Sequence, residues 1–126
     1  MLVLDYLITL GVFFGIDLLW LRYIAKKLYQ EQIGYLLTDK PKRLAAFIFY
    51  LLFVVGLLVF VINPSTTWAQ ASMLGALFGL ITYATYDLTN LATIKKWPLK
   101  ITIIDLVWGS FLASIVSTIS YLVINL

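Results

Sequence analysis

Apolar side chains run almost unbroken through four stretches of this chain, at about residues 2–23, 44–62, 71–93 and 99–124, and the segments between them collect nearly all the charge. At ~1.5 Å of rise per residue, each stretch is long enough as a helix to cross the ~30 Å of a bilayer's hydrocarbon. The pattern predicts an all-α fold, a four-transmembrane-helix bundle that takes up residues 1–126 as a single integral membrane domain. Punctuation marks the edges. Pro41 follows the capping residues Thr38 and Asp39, Asn63-Pro64 closes the second stretch, and Trp97-Pro98 precedes the fourth. Trp68 and Trp97 are expected to anchor opposite interfaces. The first stretch is expected to be a retained span: Asp5 precedes the apolar run and Trp20, Leu21 and Arg22 follow it, where a signal peptide needs a basic start and small residues.

Charge orients the bundle. All nine Lys and Arg residues lie between the first two stretches (Arg22, Lys26, Lys27, Lys40, Lys42, Arg43) or between the last two (Lys95, Lys96, Lys100), while residues 63–72 carry none. Basic residues beside spanning helices stay cytoplasmic, so both basic loops are expected inside and both termini outside. The 22–43 loop mixes Tyr23, Ile24, Leu28, Tyr29, Ile33, Leu36 and Leu37 with its basic residues. It reads as a short amphipathic helix on the inner leaflet, meeting membrane lipids and their anionic headgroups, or more plainly as a topology signal. Arg22 is placed to reach back toward Asp17.

Composition narrows the chemistry. Hydrophobic residues make up 63% and charged residues 12%, against about 25% charged in soluble domains. The absence of Cys and His excludes disulfides, zinc and haem ligation through those residues, thiol nucleophiles and His-based acid–base catalysis. No cofactor, no dedicated metal site and no nucleic-acid partner is expected, although the oxygens of three aspartates with Asn90 would suit a divalent ion.

Candidate chemistry therefore rests on acids placed where acids are expensive. Asp17 lies five residues before Arg22, Asp87 eight before Lys95, and Asp105 five after Lys100, which puts three carboxyls at one depth on three helices, roughly 7 to 12 Å inside the boundary. An aspartate facing lipid near a helix centre costs ~2.5–3.5 kcal/mol, so all three should point inward. Crowded there, they should hold at least one proton among them. The site candidates are Asp17, Asp87, Asn90 and Asp105 with Tyr83, Tyr86, Thr89 and Trp108, for a proton, a cation or a substrate. The alternative is a polar core in which Tyr83, Tyr86, Thr89, Asn90 and Thr93 satisfy the acids. Asp5 is expected to be a solvated end residue.

Small residues suggest how the helices meet. Gly75 and Gly79 continue through Tyr83 to Asp87 at four-residue spacing; Gly11 and Gly15 repeat the device in the first span, and Asp105, Gly109, Ala113 and Ser117 in the fourth. Such pairs serve packing within one chain or a homo-oligomer. The second span carries no strongly polar side chain except Tyr50 and is expected outside the other three, facing lipid. A short echo, Ile-Asp-Leu-x-Trp at 16–20 and at 104–108, places Asp17 and Asp105 level while Trp20 and Trp108 diverge.

Tyr86-Asp87-Leu88-Thr89-Asn90-Leu91-Ala92-Thr93, then Trp97-Pro98-Leu99-Lys100 and Asp105-Leu106-Val107-Trp108-Gly109, carry a resemblance. Over nearly its whole length the chain resembles small bacterial predicted membrane proteins, the family called domain of unknown function 2177. The resemblance implies a four-helix, multi-pass protein of the bacterial cytoplasmic (inner) membrane with no assigned reaction. It also hints at lipid metabolism, through lipid-modifying enzymes that accompany family members. Three functions follow as expectations: proton- or cation-linked transport or permeation by a small homo-oligomer built on Asp17, Asp87 and Asp105; a membrane enzyme or accessory factor in lipid modification, with Asp87 and Asp105 as acid and base and Tyr83 or Tyr86 as proton donor; or a structural or assembly subunit of a larger complex.

Overall fold

The computed structural model describes residues 2–126, and the elements among them are all helical. Helix α1 (Leu2–Trp20) passes through a π-helical turn (Leu21–Ala25) into α2 (Lys26–Ile33), which ends in a 3-10 turn (Gly34–Leu36). Then come α3 (Arg43–Leu57), closing in a second π-helical turn (Leu58–Ile62), α4 (Trp68–Thr93) and α5 (Leu99–Ile124). Three helical stretches, Val3–Leu36, Arg43–Ile62 and Leu99–Ile124, are long and apolar enough to cross a membrane. Helix α4 matches α5 in length, at 26 residues, but its Thr, Ser, Asn and Asp residues make it more polar.

The first helix departs from expectation. It was expected to end near Tyr23 and to be followed by a separate surface helix, yet it continues to Leu36 as one 34-residue stretch, since nothing from Tyr23 to Ile33 is a Gly or Pro that would stop it. The π turn decides what the continuation faces. In an unbroken α-helix, position 29 lies about 120° from position 17, and the one extra residue of a π turn reduces this to about 20°. The buried ridge of Asp5, Thr9, Phe13 and Asp17 is thereby resumed by Ala25, half-buried Tyr29 and Ile33. Ile33 packs with Trp97 and Ile101, so the amphipathic segment folds against the bundle. Tyr35 Oη donates to the Lys96 carbonyl at 2.5 Å, bringing the two basic loops to one end of the molecule.

Helices α4 and α5 form the most extensive pair. A Cβ added at Gly75 would come within 2.7 Å of the Ala113 carbonyl oxygen, and one at Gly79 would run into the Gly109 carbonyl. These glycines let the two backbones touch. Gly11 and Gly15 behave differently: a Cβ on either meets nothing within 4 Å, so within this chain they pack against no helix. The reason is phase, because α1 buries the ridge through Thr9, Phe13 and Asp17 and turns the Gly11 and Gly15 side outward.

The second span is no outer layer. Phe53, Val54, Leu57, Leu58, Val61 and Ile62 are all buried and join Phe13, Leu112, Ala113 and Val116 in the main core. Burying apolar side chains against apolar neighbours satisfies this helix as well as lipid does, and hydropathy alone does not separate the two. The side turned away from this core, through Leu44, Phe47, Ile48, Phe49, Leu52, Val55, Val59 and Phe60, is exposed. The apolar core thus lies toward the uncharged 63–67 connection, and the bundle opens toward the basic end.

Candidate functional site

The opening is a cavity of about 440 Å³ enclosed by all four long helices and α2. Helix α1 contributes Asp17 and Trp20; α2 adds Tyr29 and Ile33; α3 adds Ala46, Phe49 and Tyr50. Thr82, Tyr83 and Tyr86 come from α4, Asp105 and Trp108 from α5, with Trp97 just before it. The lining contains no Lys or Arg among the described residues.

Each acid in the wall is held by a tyrosine. Tyr50 Oη donates to Asp17 Oδ2 at 2.9 Å, and Tyr29 Oη donates to Asp105 Oδ1. Both carboxyls are only 6% exposed, so each hydroxyl replaces water that the fold has removed. Trp20 and Trp108 stack with ring centroids 4.2 Å apart and planes 10° from parallel. This corrects the expectation that they diverge. Because α1 and α5 are antiparallel, stacking the tryptophans staggers the echo: Trp108 comes beside Asp17 and Trp20 beside Tyr29, which holds Asp105. The aspartates are therefore offset along the bundle rather than strictly level.

Asp87 stands behind the wall, fully buried, next to Asp105. Neither of its oxygens has a hydrogen-bond partner among the described residues. Tyr83 lies between the acids, with Asp17, Asp105 and Asp87 all within electrostatic reach. Its place depends on Gly109, where any Cβ would collide with the Tyr83 ring. The glycine that ends Asp-Leu-Val-Trp-Gly is thus the seat of the site's central tyrosine.

The remaining expected residues separate. Tyr86 is 56% exposed at the rim, its ring edge against Trp97. Asn90 is half-buried, outside the lining. Thr89 is exposed and donates to the Thr85 carbonyl of its own helix, as Thr93 does to Thr89, so these hydroxyls do not satisfy the acids. A helical threonine finds its i−4 carbonyl locally at no cost in reach. Among the described residues no three acidic side chains converge as a set that would hold a metal ion, which corrects the divalent-ion arrangement.

Three further expectations fail for reasons of packing. Trp97, read as an interfacial anchor, is 7% exposed and its indole N–H donates to Thr102 Oγ1 at 3.0 Å. Asp5, expected to be solvated, is 6% exposed and borders a small cavity of about 200 Å³ with Tyr6 and Asn63. Arg22 lies over the Tyr23 ring, 5.8 Å from its centroid, and stays exposed instead of pairing with Asp17. Sequence reasoning missed the roles of Tyr29 and Tyr50. Tyr50 had a signal, as the one strongly polar side chain of an apolar span; Tyr29 had none, because its phase depends on the π turn.

A model of the family described as predicted membrane protein (DUF2177) matches residues 2–122. No curated protein and no solved structure matches the chain. With a match over nearly its whole length and helices able to span a membrane, the chain belongs to the DUF2177 family of predicted membrane proteins.

Proposed function

We propose that the protein is a small carrier of the bacterial inner membrane that binds a proton or cation in this cavity from the cytoplasmic side. One observation carries the reading: Asp17 and Asp105 face a single cavity whose lining holds no basic side chain. Buried carboxylates are normally paired with Arg or Lys, and here the hydrogen bonds they accept come from neutral tyrosines. A positive charge is the missing partner. The apolar core around Phe13, Leu57 and Leu112 separates this cavity from the small one beside Asp5, which favours a carrier over a pore.

The test is proton and alkali-cation flux into proteoliposomes holding wild-type protein, Asp17→Asn or Asp105→Asn. Wild-type flux that falls in both variants to the level of protein-free vesicles is the expected outcome. A variant that inserts and folds normally yet carries ions at the wild-type rate would sink the reading.

A second reading, a lipid-modifying enzyme or accessory factor, is favoured by the cavity's side opening. Helix α3 meets α4 through Phe53 and Gly56, against Phe78 and Tyr83, and the lining residues Ala46 and Phe49 of α3 and Tyr86 of α4 are exposed. Such a rim admits a lipid from the bilayer plane, and the Tyr–Asp pairs would supply acid and base. Lipid mass spectrometry of a deletion strain should then show an altered headgroup or chain; an unchanged profile under several stresses would argue against it.

A further inference from the structure

Resting on the reading of this cavity as a cation site, we infer that its ligand is an organic ammonium ion, held between aromatic side chains and the carboxylates of Asp17 and Asp105. Size speaks against a bare ion. A volume of about 440 Å³ lies in the roughly 300–1,000 Å³ range of small-molecule sites, whereas one water takes only about 30 Å³. A monatomic cation is held by a close shell of oxygens, and no three acids converge here among the described residues.

The wall has the opposite character. Eight of its fifteen lining residues are aromatic, and aromatic faces attract a weakly hydrated alkylammonium through the ring quadrupole while giving little to a strongly hydrated ion. The tyrosine hydroxyls of Tyr29 and Tyr50 are already donated to the acids, so the wall presents rings and carboxylates. The rim at Ala46, Phe49 and Tyr86 leaves space for whatever the ammonium is attached to. The ammonium is therefore the recognised group, whether free in solution or on a lipid headgroup.

The experiment uses the full chain in phosphatidylglycerol nanodiscs, which carry no ammonium, and follows tryptophan fluorescence from Trp20 and Trp108 while choline is added, with sodium chloride at matched ionic strength as reference. A saturable response to choline and none to sodium is expected. Asp105→Asn and Trp108→Leu should weaken binding about tenfold or more, and Trp68→Leu, at the far end of α4, should not. A matching response to sodium, or wild-type affinity in folded Asp105→Asn, overturns the inference. Should the Asp105 variant fail to fold, Tyr86→Leu at the exposed rim decides: weakened binding upholds the inference and unchanged affinity overturns it.

Adding phosphatidylethanolamine to the discs distinguishes the sources. Competition with choline assigns the site to a lipid headgroup, and independence assigns it to a soluble amine; both keep the ammonium chemistry. The two readings also fail separately. Choline binding without ion flux would end the carrier reading and leave this inference standing. Proton or sodium flux without choline binding would do the reverse.

Discussion

A buried carboxylate is an expensive residue, and each acid in the cavity wall has one tyrosine to offset that cost. Tyr50 and Tyr29 reach Asp17 and Asp105 across the bundle, from helices well separated in sequence. Removing either hydroxyl leaves a buried oxygen without its donor, at a cost of about 1–3 kcal/mol. Tyr29→Phe and Tyr50→Phe should therefore each lower the thermal unfolding midpoint in detergent while keeping helical content. Tyr86→Phe, whose ring is 56% exposed and whose hydroxyl holds no acid, should leave the midpoint unchanged. Equal stability across all three variants would mean that the tyrosine–acid bonds contribute nothing.

At the scale of helices, glycines with the same spacing do different jobs. Gly79 lies against the Gly109 backbone, where an added methyl cannot be absorbed by a side-chain movement. Gly79→Ala should force α4 and α5 apart and destabilise the bundle by about 1–3 kcal/mol or more. Gly15→Ala points its methyl into open space and should leave the monomer's stability intact. The homo-oligomer expected from the glycine spacing would use this outward Gly11 and Gly15 side of α1. Gly11→Leu with Gly15→Leu should then reduce crosslinked oligomer in membranes without unfolding the protein, and undiminished crosslinking would place the contact elsewhere. The spacing was legible from the chain; which face of each helix it occupied was not, because α1 turns its ridge of Thr9, Phe13 and Asp17 inward instead.

For the whole molecule, the decisive feature is its asymmetry between a closed end and an open, basic one. The two basic loops are joined by the Tyr35–Lys96 bond, so they must lie on the same side of any membrane the bundle crosses. Because the chain contains no Cys, a single cysteine reports orientation without background. Lys40→Cys and Lys96→Cys should be shielded from a membrane-impermeant thiol reagent added to intact cells, and Thr66→Cys should react. The reverse pattern would invert the orientation and turn the cavity to the outside.

Four long helical stretches and three acids set within them were legible in the chain alone, because hydrocarbon imposes length and apolarity locally and makes every acid conspicuous; the end of the first stretch was not, since that helix runs on to Leu36. Tertiary structure decided the rest. Whether Val54 and Leu57 face lipid or a core is invisible to hydropathy, since both environments are apolar. That Asp17 and Asp105 share a cavity while Asp87 stands behind it depends on helix rotation. Tyr29 enters the site only because a π turn shifts the phase of the helix after Trp20, and the tryptophans meet only because α1 and α5 pack antiparallel at that level. Depth in a membrane is written in residue number, but azimuth is set by which partner each helix finds.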